Sequence, residues 1–256
     1  MLSVCMAGAT GWTGRALVPA IVAAPDLELR SAVSRSAAGG EIEGAPAFAG
    51  VAEALDGVDV VIDYTSATAV KANTLAAIAA GVHVVIGSSG LTAGDFAEID
   101  AAARERGVGV IASGNFSLTA AMCQAGALLA ARHLPHWEVI DYASAGKPDV
   151  PSGTARELAE RLGEVGRPEP GHPIDELVGP REARGATVAG AQVHSVRLPS
   201  FVVSTEVVFG LPDERLTIRH DAGGTPAPYV AGTLIAARAA PARVGLTRGL
   251  DTLLLG

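Results

Sequence analysis

The chain opens with the run MLSVCMAGATGWTGR, residues 1–15. An apolar stretch, 2–7, leads directly into glycines at positions 8, 11 and 14, and an Ala-rich stretch follows. Glycines at these points let a strand turn tightly into a helix and approach a pyrophosphate, which sits on the free N–H groups at the helix N-terminus. The spacing GxxGxxG departs from the commoner GxGxxG, so an ordinary strand-to-helix turn is the alternative. The candidate contact residues are Gly8, Thr10, Gly11, Trp12, Thr13 and Gly14.

The residues behind this turn alternate between two kinds of segment. Five short apolar runs are predicted as strands, at 2–7, 28–33, 58–65, 83–87 and 108–113. The segments between them are predicted as helices, at 13–24, 51–55, 67–80 and 93–106, with a further helix at 118–131. Such alternation is typical of βαβ units around a parallel sheet. The first half is therefore predicted to be a Rossmann-type dinucleotide-binding domain.

The second half of the chain has a different pattern. A strand at 138–143, a helix at 154–162 and an irregular stretch at 164–184 precede strand-like runs at 191–198, 202–209 and 215–220. Polar and apolar residues alternate in these runs, which is typical of an antiparallel sheet with one wet face. The last helix, 228–239, and the tail, 249–255, resemble the first half. We expect an α/β protein in which residues 1–115 and 223–256 form the parallel-sheet domain and 116–222 form an α+β domain with an open mixed sheet.

Composition excludes several classes of partner. The 256 residues carry 19 basic and 27 acidic side chains, a net charge of -8, without a run of lysine or arginine. Affinity for nucleic acid or anionic membranes rests on clustered positive charge and is not expected. The two cysteines lie far apart in apolar runs, so we expect buried thiols and no metal site. With no basic leader and no apolar run of about 18 residues, we expect a cytoplasmic protein.

The end of the second predicted strand bears on the choice of dinucleotide. An acid about 20 residues beyond the glycines would bind the ribose 2′-OH of NAD. Here the strand ends in Ser34, Arg35 and Ser36 without an acid. A guanidinium and hydroxyls suit a 2′-phosphate, so NADPH is predicted over NADH. The alternative is a solvated loop arginine.

Two further strand ends are expected to line the same crevice, because parallel sheets bind ligands at the carboxyl ends of their strands. The third predicted strand ends in Asp63, Tyr64 and Thr65, and the fourth ends in the run Gly87-Ser88-Ser89-Gly90. We assign Tyr64, Thr65, Gly87, Ser88 and Ser89 to cofactor binding.

The run from Lys147 to Ala155, KPDVPSGTA, has its own chemistry. Proline and glycine fix a turn, and Ser152, Gly153 and Thr154 present N–H and hydroxyl donors where a helix begins. Together with Lys147 they form a candidate carboxylate site. The alternative is a capped helix with a surface lysine. The composition favours the first reading, because 17 of the 19 basic residues are arginine and Lys147 is one of only two lysines.

These motifs resemble the dihydrodipicolinate reductase family, the nicotinamide-dependent reductases of bacterial lysine and diaminopimelate synthesis. The similarity runs nearly end to end, and the run 147–155 is its most specific part. The resemblance also covers the run 113–117, SGNFS. From this run Gly114, Asn115 and Phe116 are assigned to cofactor binding, and Asn115 also to substrate binding. The resemblance implies a homo-oligomer, a tetramer or a dimer, a loop 147–154 that holds substrate carboxylates, and a catalytic Lys147.

The chain departs from the family at its catalytic histidines. Family members carry two adjacent histidines three and four residues before the lysine, whereas this chain has Ala143 and Ser144. Two downstream motifs also differ, at 197–200 and 223–225. Proton delivery contributes typically about 10²–10⁴-fold in rate, so another acid would have to act. We assign this role to Lys147, with Ser144 or Tyr142 as a relay, or expect a substrate that needs less help from an acid.

These residues support three hypotheses about the function of the protein. The first is an NADPH-dependent reductase of a small unsaturated or imine carboxylate, acting on the family substrate, 4-hydroxy-tetrahydrodipicolinate, or on a relative of it. The second is a paralogue that binds NADPH without turnover, as a sensor or partner subunit. The third is a short-chain-dehydrogenase-like enzyme, which would need a Tyr-x-x-x-Lys pair; Tyr142 and Lys147 are five apart instead of four.

Overall fold

A computed structural model describes all residues, 1–256. The chain folds into two compact units, the first made of Met1–Leu118 and Thr225–Gly256 and the second of Thr119–Gly224. The boundaries expected from the sequence, after residues 115 and 222, lie three and two residues before those of the structure.

The structure contains thirteen strands and seven α-helices. In chain order the strands are β1 (Leu2–Ala7), β2 (Leu27–Val33), β3 (Glu41–Ile42), β4 (Ala45–Phe48), β5 (Val60–Asp63), β6 (His83–Ile86), β7 (Gly109–Ala112), β8 (Trp137–Ala143), β9 (Ala186–Val188), β10 (Ala191–Arg197), β11 (Val203–Leu211), β12 (Glu214–Asp221) and β13 (Gly245–Arg248). The helices are α1 (Gly14–Ala23), α2 (Val70–Ala79), α3 (Ala93–Arg106), α4 (Leu118–Ala131), α5 (Gly153–Val165), α6 (Ala227–Ala239) and α7 (Leu250–Leu255).

The first unit is built on an eight-stranded sheet in the order β13-β7-β6-β5-β1-β2-β4-β3. All neighbours are parallel except the short pair β3 and β4. The predicted Rossmann-type parallel sheet is therefore confirmed. Sequence analysis missed three of its strands, β3, β4 and β13. β4 contains Pro46, and β13, Gly-Leu-Thr-Arg, has a single large apolar residue.

The central strands consist of continuous apolar runs because they are buried on both faces of the sheet. Val4, Cys5, Met6 and Ala7 of β1 are fully buried, and all four residues of β5 and of β7 are buried. Parallel sheets with covered faces require such runs. Helix α2 packs against α3, and α1 packs against α6. Helix α6, from the last part of the chain, thus joins the core formed by the first half of the chain.

The second unit is built on a five-stranded mixed sheet in the order β12-β11-β8-β10-β9. The predicted open mixed sheet is confirmed, but the expectation that β10, β11 and β12 form one antiparallel run is wrong for β10. β8 lies between β10 and β11, and β10 runs parallel to β8. Alternating polarity reports that one face of a strand is buried and carries no information on strand direction, so the pattern could not distinguish the two pairings.

The core of the second unit lies between the sheet and α5. Trp137 and Val139 of β8 and Phe209 of β11 are buried with Leu158 and Leu162 of α5. None of the seven helices combines the length and the apolarity that a membrane span needs. Both cysteines are free and buried, and burial raises the pKa of each thiol to about 11.

Candidate active site

The glycine turn of the first unit is held by close backbone packing. Gly8 has a φ of +87°, and a Cβ placed on it would lie 2.3 Å from the carbonyl oxygen of Tyr64. A Cβ on Gly14 would lie 2.2 Å from the carbonyl oxygen of Gly8. Gly11 donates its N–H to the same carbonyl oxygen of Gly8, at 2.9 Å. Larger residues at positions 8 and 14 would therefore force the turn apart.

This turn leaves backbone donors without acceptors. The N–H groups of Trp12, Thr13 and Gly14 donate to no atom of the chain. Thr13 precedes α1 but makes no side-chain capping hydrogen bond. Unpaired N–H groups at a helix N-terminus, with the positive end of the helix dipole, form a site for an anion such as a phosphate.

A hydroxyl cluster lies at the end of β2. Thr10 Oγ1 is 2.7 Å from Ser34 Oγ, which is 3.1 Å from Ser36 Oγ. With Arg35 these side chains line a cavity of about 620 Å³ that also reaches Gly8, Gly11 and Thr65. Arg35 is exposed and has no partner in the chain, and it is the only charged residue on the cavity wall.

Asp63, at the end of β5, organises the neighbouring loops. Its side chain is fully buried, and Oδ1 accepts from Thr65 N at 2.9 Å, Thr65 Oγ1 at 2.8 Å and Ser88 Oγ at 2.7 Å. Oδ2 accepts from Asn73 Nδ2 at 2.8 Å. Asp63 therefore joins the strand ends that carry Thr65 and Ser88. Ser89 lies beside them in a smaller cavity of about 190 Å³.

Tyr64 serves the packing of the first unit. Its hydroxyl lies 2.8 Å from Thr233 Oγ1, and burial raises its pKa above the ordinary value. A Cβ on Gly87 would lie 2.2 Å from the ring, so the close approach requires glycine there. Phe116 packs edge-on against Tyr64 and is 1% exposed. The Tyr64 hydroxyl and the Phe116 ring are thus committed to the protein interior.

The run 113–117 forms a tight turn before α4. Ser113 Oγ donates to the carbonyl oxygen of Asn115 at 2.9 Å, and Ser117 N donates to Asn115 Oδ1 at 2.9 Å. The predicted ligand residue Asn115 therefore helps to fix the turn, and Gly114 lies within it. Trp12, 52% exposed, contacts Tyr229 of α6 edge-on. Sequence analysis did not identify Tyr229 or Thr233.

The second unit carries the Lys147 loop, residues 147–152. Lys147 Nζ lies 2.9 Å from Asp149 Oδ1, and both side chains are partly exposed. The backbone N–H of Lys147 donates to the carbonyl oxygen of Ser144 at 3.0 Å. The loop ends at α5, where the N–H of Gly153 donates to no atom of the chain and Thr154 follows in the first turn. One cationic side chain and one helix N-terminus thus come from the same short segment.

Ser152 is the N-cap of α5 and accepts from the N–H of Ala155 at 3.3 Å. Its hydroxyl donates to Asp141 Oδ1 at 2.6 Å, and its N–H donates to Asp141 Oδ2 at 2.9 Å. Ser152 is 1% exposed, so its hydroxyl is used within the protein.

β8 ends at Ala143 and is followed by Ser144, the two positions at which the resemblance leads us to expect histidines. Ala143 is fully buried at the end of the strand, and Ser144 follows it with partial exposure. Tyr142 points to the opposite face from Asp141 and Ala143, where its hydroxyl donates to Glu206 Oε2 at 3.3 Å. Burial and the Glu206 carboxylate raise the pKa of Tyr142. A proton relay through Tyr142 therefore has no support in this geometry.

The sequence contains a signal for the two buried carboxylates that was not used. Val-Ile-Asp-Tyr occurs at 61–64 and again at 139–142, and both aspartates are fully buried at or near strand ends. An acid that follows an apolar strand run is a candidate for a buried hydrogen-bond acceptor, because an unpaired buried carboxylate is too costly.

Comparison with known proteins covers the whole chain. The family model described as dihydrodipicolinate reductase, N-terminus, matches residues 2–116, and its C-terminal counterpart matches 114–254. The 4-hydroxy-tetrahydrodipicolinate reductase of Thermosynechococcus vestitus is 35% identical over 99% of this chain and 97% of its own. That of Moorella thermoacetica is 37% identical over 99% of this chain and 98% of its own.

A solved structure agrees with these matches. The dipicolinate-bound dihydrodipicolinate reductase from Paenisporosarcina sp. TG-14 superposes with a TM-score of 0.78 and 27% identity, and 99% of each chain is covered. The predicted enzyme class, a nicotinamide-dependent oxidoreductase, is that of these relatives. The chain belongs to the dihydrodipicolinate reductase family.

Proposed function

We propose that this protein is an NADPH-dependent reductase that transfers a hydride to a small unsaturated or imine carboxylate. The family reaction, reduction of 4-hydroxy-tetrahydrodipicolinate, is the first to test. The observation that carries the proposal is the Lys147 loop, in which the Lys147 ammonium and the unpaired Gly153 N–H come from one short segment at the start of α5. Such a pair suits a carboxylate.

The first unit fits a dinucleotide. Three unpaired N–H groups of the glycine turn suit a pyrophosphate, and the cavity beside them has room for further groups. Arg35 and the Thr10, Ser34 and Ser36 hydroxyls favour a 2′-phosphate, and no carboxylate lines the cavity to receive a ribose 2′-OH. When bound, NADPH supplies the hydride. The residues proposed to hold it are Gly8, Thr10, Gly11, Trp12, Thr13, Gly14, Ser34, Arg35, Tyr64, Thr65, Gly87, Ser88, Ser89, Gly114, Asn115 and Phe116. Tyr64 and Phe116, whose side chains pack in the interior, are proposed to contribute through their backbone atoms.

The protein's own contribution to the reaction is position and charge. Lys147 and the first turn of α5, with Gly153 and Thr154, orient a substrate carboxylate, and Ser152, whose N–H and hydroxyl both donate to Asp141, fixes where this turn begins. Lys147 also carries a proton at Nζ, which it gives up directly or through Ser144 as negative charge develops on the reduced substrate. Asp149, 2.9 Å from Nζ, holds the lysine in place.

The proposal is tested by NADPH oxidation with purified protein. Saturating NADPH is combined with 4-hydroxy-tetrahydrodipicolinate and with a panel of cyclic imines, enones and keto acids that carry a carboxylate. Turnover of at least one compound, with a lower KM for NADPH than for NADH, is expected. If no compound is reduced, the reductase proposal fails.

A second candidate function rests on one observation. Ala143 and Ser144 occupy the positions of the family's histidine pair, so no imidazole is present there to donate a proton. Ala143 is also fully buried. A paralogue that binds NADPH as a sensor or partner subunit would tolerate this loss. Tight NADPH binding without oxidation by any member of the panel would favour this function.

Assembly and location are also proposals. The family resemblance supports a homo-oligomer, a tetramer or a dimer, and light scattering after size-exclusion chromatography tests it. A cytoplasmic location is supported by the sequence, and fractionation of cells tests it.

A further inference from the structure

A buried ion pair lies beneath the Lys147 loop. Arg197 Nη2, on β10, lies 2.8 Å from Asp141 Oδ2, on β8. The Asp141 side chain is 0% exposed and that of Arg197 is 14% exposed. Taking two charges out of water is costly, and a buried pair often adds no net stability over apolar residues of the same size. Its presence here therefore calls for a role other than stability.

The Asp141 carboxylate ties three segments together. Besides Arg197, Oδ2 accepts from Ser152 N at 2.9 Å and from Ser195 Oγ at 3.1 Å, while Oδ1 accepts from Ser152 Oγ at 2.6 Å. Two of these four donors belong to the N-cap of α5. The position at which α5 begins is thus set by Asp141.

Arg197 extends the connection to the lysine. Its Nη2 also donates to the carbonyl oxygen of Asp149 at 2.7 Å, and the Asp149 carboxylate holds Lys147 Nζ. One guanidinium therefore links the buried carboxylate to the middle of the Lys147 loop. Asp149 Oδ2 and Arg197 Nε are buried and have no hydrogen-bond partner. All of these hydrogen bonds and ion pairs join residues of the second unit.

We propose that Asp141 and Arg197 are positioning residues, which fix Lys147 and the first turn of α5 so that both meet one substrate carboxylate. The inference rests on the proposed function of the loop. Neither residue needs to touch the substrate. Asp141 holds Ser152, Arg197 holds Asp149, and the ion pair between them makes the two residues act as one unit.

Two variants test the pair. Asp141→Asn keeps the shape of the side chain but leaves the buried guanidinium without its counter-charge. Arg197→Lys keeps the charge but loses the rigid guanidinium, in which Nη1 bonds the Val196 carbonyl oxygen and so holds Nη2 between Asp141 and Asp149. The lysine ammonium can pair with Asp141 and release Asp149. The probe is dipicolinate, the ligand of the Paenisporosarcina relative. Both variants should weaken dipicolinate binding about tenfold or more and leave the Kd for NADPH within about twofold.

Glu138→Gln is the matched control. Glu138 lies three residues before Asp141 on β8, faces the opposite side of the sheet, and pairs with Arg184 and with His194 Nε2 at 2.7 Å. This variant makes the same carboxylate-to-amide change in the same strand. It should leave dipicolinate binding unchanged. An equal loss in Glu138→Gln and Asp141→Asn would overturn the proposal, because it would reflect general loosening of the sheet.

A ligand-independent measurement separates this proposal from the proposed function. Amide hydrogen exchange of residues 147–156 in the free protein should rise about tenfold in both variants and stay unchanged in Glu138→Gln. If wild-type protein binds no dipicolinate and reduces nothing, the proposed function fails while hydrogen exchange still decides whether the pair fixes the loop. Unchanged exchange in Asp141→Asn and Arg197→Lys would overturn the positioning role.

Arg197→Gln alone and Asp141→Asn combined with Arg197→Gln complete the set. Residues that act as one unit are non-additive. If the pair acts together, the double variant binds dipicolinate as tightly as the single variant that has the lower affinity for it. Multiplied losses would mean that the two residues act separately, which contradicts the proposal.

Discussion

Arg35 offers the most direct test of cofactor preference. It is the one charged residue on the wall of the 620 Å³ cavity and has no partner in the chain. A charge-assisted hydrogen bond contributes about 1.5–3 kcal/mol when shielded from solvent. Because Arg35 is exposed, we expect the lower end of this range, so Arg35→Ala should raise the Kd for NADPH about tenfold. The Kd for NADH, which has no 2′-phosphate, should change by less than about twofold.

The control for this prediction is Arg30→Ala. Arg30 lies on β2, five residues before Arg35 and outside the cavity, and it is also exposed, with its Nη2 3.9 Å from Asp56 Oδ2. Arg30→Ala changes the net charge by the same amount as Arg35→Ala, so any long-range electrostatic effect on the anionic cofactor appears in both variants. Titration of each variant with NADPH and NADH by fluorescence, at two salt concentrations, measures the difference. Equal losses for the two cofactors, or the same loss in Arg30→Ala, would refute the assignment of Arg35 to the 2′-phosphate.

Three further predictions concern stability and site architecture. Gly8→Ala places a Cβ at 2.3 Å from the Tyr64 carbonyl oxygen at a φ of +87° and should cost about 3 kcal/mol or more, measured by urea unfolding; unchanged stability would contradict this packing. Asp63→Ala removes the acceptor of four hydrogen bonds and should cost about 2–4 kcal/mol and weaken NADPH binding, measured by unfolding and titration. Burial lowers the pKa of His220 below its ordinary value of 6.5, so the unfolded chain takes up a proton first, and stability is lost as pH falls from 6.5 to the lower pKa of the folded protein. His220→Asn should flatten the pH dependence of the melting temperature in that window, and an unchanged slope would contradict it.

The elements predicted at their observed bounds carry a local signal in the sequence, such as the nearly continuous apolar run of β1 or, for α3, the capping Thr92 before it and Gly107 after it. β1 and the helices α3 and α4 were predicted at their observed bounds. β4 and β13 are four residues each and lie toward the two edges of the sheet, where packing on neighbours replaces a local apolar pattern. The direction of β10 was missed for a different reason. Which strand a segment pairs with is decided by tertiary contacts, and alternation looks the same in either direction.

The site was predictable where backbone geometry demands a residue type. Gly8 and Gly14 must lack side chains, and this requirement is visible in the sequence. The roles of Asp63 and Asp141 depend in part on partners 25 or more residues away, Ser88 for the first and Arg197 for the second. Ser152 shows the reverse case, because a donor that looked available for a ligand is bonded to a carboxylate that local sequence does not reveal.

The central claim is that this chain reduces a small carboxylate with the help of Lys147, and one kinetic comparison tests it most directly. NADPH oxidation is measured for wild type, Lys147→Ala and Lys71→Ala, the last altering the only other lysine, which pairs on the surface with Asp95 and Glu98. We expect kcat/KM to fall about 100-fold or more in Lys147→Ala alone, since anchoring and proton transfer are both lost, with the Kd for NADPH unchanged in all three. Equal kcat/KM in wild type and Lys147→Ala would contradict the account.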